Sequence, residues 1–276
     1  MRTRASLTAD LRALGVEKAM TLLVHASLRS VGRVSGGVGA VLGALRDALG
    51  AEGTVVVPTF TEGNSLTSRA YLHLTRGLTP HQLVAYRENM EPFSAASTPS
   101  HGMGRLAEEV RVTPGAVRST HPQSSFAALG ARAARITSGH DQDCLLGERS
   151  PLGRMYEDGA HVLLLGAGFE TCSAFHLAEY RQYLPRRRRY DCRISTDAGP
   201  RWTHFVDVDL DDSDFGELGH WLETRAPGAS DALTRGRIGA ADSRLFPLRW
   251  AVDAADSWMA VCRRTRRNLP AEPGRA

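Results

Sequence analysis

Three short runs of apolar residues punctuate the chain, at positions 20–24, 54–57 and 162–165. Four or five residues is short for a buried helix, so each run predicts a strand covered on both faces. Apolar residues at helical spacing fill the stretches between. Residues 6–15 predict a short amphipathic helix, capped by Ser6 or Thr8 and ended by Gly15; residues 39–49 predict another, closed by Gly50. Helix, strand, glycine-rich loop, helix, strand is an α/β beginning with a parallel pair of strands.

Further along, the periodicity weakens. Residues 59–100 carry scattered Pro, Ser and Thr and predict an irregular insertion with one short helix at 80–89. Helices are expected at 103–110, ended before Pro114, and at 150–157, with Ser150 as cap and Pro151 in the first turn; residues 126–134 are mixed. Residues 190–194 and 202–208 predict antiparallel strands joined by the turn Asp-Ala-Gly-Pro. A helix at 215–225, a glycine-containing loop or short strand at 237–245, a closing helix at 251–264 and a frayed tail at 265–276 complete the chain. The sum is one α/β domain over 1–276, a three-layer arrangement with a central mixed sheet flanked by helices.

Composition narrows the class. With 42% hydrophobic and 23% charged residues the chain can bury a substantial core. No apolar run approaches the roughly 18 residues of a membrane span, and residues 1–15 lack an apolar signal core, so no membrane association and a cytoplasmic location are expected. Four widely spaced cysteines without a CxxC pair argue against a structural zinc site or a disulfide framework. Net charge is +4, but Lys18 is the only lysine, and the arginine run 186–189 has no accompanying nucleic-acid motif; a solvated loop is the simpler reading.

The stretch 161–181 holds the most chemistry. A buried strand runs into Gly166 and Gly168, which allow a sharp turn. Thr171 or Ser173 can cap the helix that follows. His176 and Glu179, three residues apart, share one helical face. A histidine titrating near neutrality suits proton transfer; the plainer alternative is a core histidine beside a surface glutamate. Cys172, four residues before His176, leaves a covalent thiol route open. The loop 27–39 offers amides and glycines at a helix start, either for a phosphate or for tight packing. In 119–126, His121, Ser124 and Ser125 either line a ligand or cap a connection. Alternation puts Asp207 and Asp209 on one strand face, opposite Val206 and Val208, where they would meet a cation or solvent.

Six blocks carry a resemblance: LLVHASLRSVGRVSGG (22–37), GTVVVPTFT (53–61), TPSHGMGRLAEEVR (98–111), RSTHPQSSFAALG (118–130), SPLGRMYEDGAHVLLLGAGFETCSAFHLAEYR (150–181) and GRIGAADSRLF (236–246). Together they resemble the aminoglycoside 3-N-acetyltransferases, antibiotic-modifying resistance enzymes that use acetyl-CoA, along about residues 6–262. Ala26 stands where the family's VHSSL has its first serine, and His101 where an arginine often precedes GMG. Residues 62–97 match poorly.

The resemblance implies that His176 is the catalytic base and that the acidic partner lies on the strand preceding the helix at 215: Asp209 first, Asp207 second, with Glu179 also in the site. It implies coenzyme A contacts from Ser27, Ser30, Val34, Gly36, Gly37, Gly102, Met103, His121 and Ser125, and aminoglycoside contacts from Asp207 and Glu179. No metal is implied. Transfer is expected to be direct, with acetyl-CoA and a 2-deoxystreptamine drug bound together to a monomer or homodimer, and the 3-amino group acetylated. The rival readings are an acyltransferase of this fold acting on another amine and a non-catalytic protein that sequesters drug or coenzyme A.

Overall fold

The computed structural model describes residues 1–268. Its strands are β1 (Thr21–Ala26), β2 (Thr54–Pro58), β3 (Val117–Arg118), β4 (Phe126–Gly130), β5 (His161–Leu165), β6 (Arg187–Ile194), β7 (Arg201–Val208), β8 (Thr234–Ile238) and β9 (Ala241–Pro247). The helices are α1 (Arg4–Ala13), α2 (Leu28–Val31), α3 (Gly37–Leu49), α4 (Arg69–Leu74), α5 (Pro80–Glu88), α6 (Gly104–Val112), α7 (Ala133–Thr137), α8 (Pro151–Glu157), α9 (Phe175–Arg181), α10 (Phe215–Thr224), α11 (Ala229–Ala232) and α12 (Leu248–Asn268).

The three apolar runs form the middle of a seven-stranded sheet of order β3-β4-β2-β1-β5-β9-β8. On it, β1 pairs in parallel with β2 and β5, and the outer pairings are antiparallel, so the sheet is mixed. Leu23, Val56, Val162 and Leu164 face one core. Leu22, Val24, Val55, Val57, Leu163 and Leu165 face the other. Both faces of each central strand are therefore dry, which is why these runs do not alternate with polar residues. Burying each such side chain stabilises by about 1.5–3 kcal/mol relative to exposure. Helices α1, α3 and α6 cover the second face through Leu7, Leu11, Leu45 and Leu106. On the first, α8, α9, α10 and α12 contribute Leu152, Phe175, Leu218 and Val252. These are the three layers expected.

Several details differ from expectation. Thr3, not Ser6 or Thr8, caps α1, and Ser6 answers it at the third helical position to close a capping box. Helix α3 begins at Gly37 rather than residue 39, because Gly36 at φ 82° turns the chain directly into it. Residues 126–134 resolve into β4 and α7, and the stretch at 237–245 is most of a hairpin, β8–β9, that pairs with β5 and extends the sheet edge. The insertion holds two helices, α4 and α5, the second with the capping box of Thr79 and Gln82. Strands β6 and β7 pair antiparallel as expected, but as a separate two-stranded sheet. The arginine run is the start of β6 rather than a loop. Helix α12 continues to Asn268, past the expected fraying point, and residues 269–276 lie outside the described residues.

Candidate active site

Strands β1 and β5 lie side by side with Ala26 opposite Leu165, so their following loops leave the sheet together. Since β2 lies on the other side of β1, this is a point where the chain's winding reverses, the usual place for a cleft in an open α/β sheet. A cleft of 690 Å³ opens there. Gly166 makes the turn out of β5 at φ 63°, and a Cβ on it would sit 2.7 Å from the Cβ of Ser30, so the close crossing of the two loops requires glycine. A short 3-10 turn at Phe169–Thr171 then leads into α9. Neither Thr171 nor Ser173 caps that helix: Ala174 takes the cap position with no side-chain bond, Thr171 Oγ1 donates back to Gly168 O at 2.8 Å, and Ser173 lies against His25.

His176 lines the cleft from the first turn of α9. Its Nδ1 lies 2.6 Å from Glu179 Oε2, and Phe215 packs on the ring with centroids 4.8 Å apart. Glu179 Oε1 accepts from the Asp211 amide at 3.0 Å and from Arg263 Nη1 at 2.6 Å. The glutamate side chain is only 4% exposed, so it is a buried group held in place and not a surface one. With Nδ1 committed to the carboxylate, Nε2 is the ring nitrogen that Glu179 leaves unengaged.

The partner of the histidine is thus Glu179, and neither Asp209 nor Asp207 touches it. Asp209 lies one residue past the end of β7, where its Oδ1 pairs with Arg188 Nη1 at 3.3 Å. It lines a different hollow of 950 Å³ behind Glu179 and Arg263. Asp207 points into the core: its Oδ2 accepts from the Leu145 amide at 2.6 Å and from the Tyr180 hydroxyl. Burial and the adjacent Asp207 charge raise the Tyr180 phenol well above its ordinary range. The expected alternation also fails at Val208, which is buried while Val206 is exposed.

The coenzyme expectations divide in the same way. Ser27, Gly102 and Met103 line the cleft. Ser30 stands behind Ser27, its Oγ 3.1 Å from that hydroxyl and 3.2 Å from Gly166 O. Val34, Gly36 and Gly37 lie at the start of α3, where Val34 bridges to Arg2, and are not on the cleft wall. His121 and Ser125 are buried supports. His121 Nδ1 accepts from the Gln123 and Ser124 amides at 3.1 Å each, and Ser125 Oγ donates to Thr59 O at 2.9 Å. Their neighbours Gln123 and Ser124 reach the cleft instead. Helix α6 begins at the cleft with no side-chain cap on its first amides. Beside it Gly102, at φ 71°, has open space where a Cβ would be, so a ligand can approach the backbone closely.

Two functional candidates escaped the sequence reading. His25, at the end of β1, lines the cleft, and its Nε2 lies 3.4 Å from the Ser173 amide. Burial, with His176 nearby, pushes its imidazole down to about 4, so it stands neutral at pH 7. Arg263, in a tail-like run of arginines, is the other. Cys172 is fully buried, and burial pushes its thiol up to about 12, which disfavours the thiolate a covalent route needs. Among the described residues no group of three or more His, Cys, Asp or Glu could hold a metal ion, and no helix is long and apolar enough to cross a membrane.

Residues 23–260 match the family model described as aminoglycoside 3-N-acetyltransferase. The SPbeta prophage-derived aminoglycoside N(3')-acetyltransferase-like protein YokD of Bacillus subtilis (strain 168) is 37% identical over 265 residues, covering 93% of this chain and 92% of its own. Its crystal structure superposes with a TM-score of 0.88 at 35% identity over 97% and 96% of the two chains. Aminoglycoside N(3)-acetyltransferase VII of Streptomyces paromomycinus is 36% identical over 276 residues, with 93% and 91% coverage. The structure of AAC-IIIb in its binary complex with CoASH aligns with a TM-score of 0.81 and 32% identity over 98% of both chains.

Proposed function

The chain belongs to the aminoglycoside 3-N-acetyltransferase family, and we propose that it transfers the acetyl group of acetyl-CoA directly to the 3-amino group of a 2-deoxystreptamine aminoglycoside, with His176 as general base. We take the described chain to act as one catalytic domain, since both cores share the seven-stranded sheet. The observation that carries the mechanism is the His176–Glu179 pair at the cleft, with Nδ1 held at 2.6 Å and Nε2 left for substrate.

Acetyl-CoA supplies an activated thioester. Its phosphate-bearing arm suits the wall of Ser27, Gly102 and Met103, where the start of α6 offers unpaired amides to an anion. A bound amine would meet Glu62 and Asp212, which also line the cleft, carboxylates fit for an ammonium-rich drug. Nε2 of His176 takes the proton from the amine as nitrogen bonds the carbonyl carbon. It returns that proton to the thiolate when the carbon–sulfur bond breaks, leaving an amide and free coenzyme A. Glu179 fixes the tautomer and stabilises the imidazolium between the two steps. Holding both substrates in one cleft supplies the positioning part of the acceleration. The relative whose structure contains CoASH supports the choice of donor.

The test is thiol release from acetyl-CoA with gentamicin, neomycin and apramycin-type acceptors, with NMR assignment of the acetylated nitrogen. Drug-dependent release with the acetyl on the 3-amino group is the expected result. Release with some other amine alone would move the reading to a different acceptor, and binding without turnover would make the protein a sequestering one.

A further inference from the structure

The two arginines that line the cleft hold carboxylates outside the His176–Glu179 pair, Arg69 with Asp212 and Arg188 with Asp209. Arg263 is different: it reaches from α12 into the back of the catalytic pair. Its side chain is 18% exposed. Nη1 donates to Glu179 Oε1 at 2.6 Å, Nε and Nη2 donate to the two oxygens of Asp214 at 2.9 and 2.6 Å, and Nη2 also reaches Asp211 O at 2.7 Å. Glu179 thus carries a full positive charge on one oxygen and the catalytic imidazole on the other. Burial opposes the guanidinium charge, but the bonds to Asp214 and Glu179 outweigh it and hold that charge more firmly than in an ordinary arginine.

A carboxylate alone beside an imidazole makes the imidazolium too comfortable, whereas a base that must also return its proton needs the proton held loosely. We propose that Arg263 is a positioning residue that, through Glu179, both fixes the orientation of His176 and limits how tightly His176 holds its proton. The proposal rests on reading His176 as the base. The other groups around the imidazole do not duplicate this role. From β1 comes His25, neutral at pH 7; from the loop before α10 come Asp211 and Asp214, the second already engaged by Arg263. The cleft is also lined by charges of both signs, Glu62, Asp212, Arg69 and Arg188, and by Glu170 beside the β5 turn. Among the described residues Glu179 alone is hydrogen-bonded to the ring of His176.

The sign follows from the charges. Arg263→Gln removes a positive charge near the imidazole, so His176 should titrate at higher pH. Asp214→Asn removes a negative charge and leaves Arg263 to Glu179, so the titration should move the other way. Arg263→Lys keeps the charge but not the fork, so His176 should titrate close to wild type while turnover falls. The experiment is an NMR titration of histidine-labelled protein, with the His176 resonance assigned by His176→Ala, alongside kcat and KM for both substrates. Opposite shifts in the Arg263→Gln and Asp214→Asn proteins support the proposal. No shift in either, or shifts of the same sign, overturns it even if both proteins are less stable. Should Arg263→Gln fail to fold, the downward shift in Asp214→Asn with a near-normal Arg263→Lys decides it, and no shift in Asp214→Asn refutes it. An active His176→Ala enzyme would instead sink the general-base reading, whatever the titrations show.

Discussion

His176 and Glu179 occupy one turn of α9, and their substitutions probe two halves of one device. His176→Ala should lower kcat by roughly 10²–10⁴-fold, the usual share of a general base. Glu179→Gln keeps the shape but no longer fixes the tautomer or balances the imidazolium, so a loss of the same order is expected. The double variant should be little worse than either, because the two act as a unit. Asp209→Asn, by contrast, should leave kcat within about two-fold, since that carboxylate faces Arg188 rather than the histidine. Steady-state kinetics of the four proteins checks this; a steep loss in Asp209→Asn would restore the strand carboxylate as orienter. Cys172→Ser should keep most of its activity, and mass spectrometry after incubation with acetyl-CoA alone should find no added acetyl group, given a thiol pushed up to about 12. The histidine and its glutamate were legible because spacing of three on a helix is local. Asp209 was misplaced because alternation holds only inside a strand, and β7 ends at Val208. Arg263 could not be found at all, since a cation in an arginine-rich run reads as solvated until the fold brings a carboxylate to it.

Helices and strands show the same division. The three apolar runs announced the sheet centre because burial on both faces leaves a continuous apolar pattern. The hairpin β8–β9 did not, because an edge pair needs only half its residues buried and its glycines read as a loop. Arg193 holds the middle of the insertion at 59–100, donating to Arg87 O and Met90 O, and Arg118 ties its two ends together. Arg118 donates to Thr59 O at 2.7 Å, to Thr59 Oγ1 at 3.1 Å, to Ser125 Oγ at 3.0 Å and to Thr98 O. Burial lowers its guanidinium to about 10, with the nearby Arg111 charge adding to the effect. Arg118→Met should therefore remove the donor to Thr98 O and one of the two side-chain donors to Thr59 O, at a cost of about 1–3 kcal/mol. Phe60 to Glu62 and Gly102 to Gly104 line the cleft just beyond these anchors, so KM should rise more than kcat falls. Limited proteolysis should cut within 62–97 faster than in wild type while the sheet stays protected. Cleavage at an unchanged rate, with an unchanged KM, would show that the bonds of Arg193 and its neighbours hold the insertion without Arg118.

For the molecule as a whole, the buried imidazoles set an acid limit to stability. His25 and His140 are each pushed down to about 4, and His121 well below its ordinary value, with burial the main cause in all three. His121 and His140 are built into the frame behind the site, and His25 lines the cleft itself. His140 Nε2 lies 2.9 Å from Leu145 O, and its ring packs against His121 with centroids 4.7 Å apart and planes tilted by 31°. In the unfolded chain these histidines take up protons near pH 6.5; in the folded protein they do so only at lower pH. The unfolded state therefore binds more protons between those limits, and stability rises with pH across that window. It should be fully present above about 6.5 and fall as pH drops toward 4, by about 1.4 kcal/mol per pH unit for each histidine and roughly 4 for the three together. A typical domain has 5–15 kcal/mol in total, so unfolding is expected before carboxylate pairs such as Glu108–Arg111 are protonated, Glu108 being held at about 2 by its hydrogen bonds to Arg111 and Ser100 against the effect of burial. Thermal melts from pH 8 to 4.5 should show a flat Tm above about 7 and a steep decline below 6. His140→Gln, which cannot gain a charge, should start lower but decline less steeply. A Tm unchanged between pH 7.5 and 5 would mean that the imidazoles find water or a counter-charge when protonated, and that the loop from Ser119 to Phe126 is less tightly closed than the bonds of His121 require.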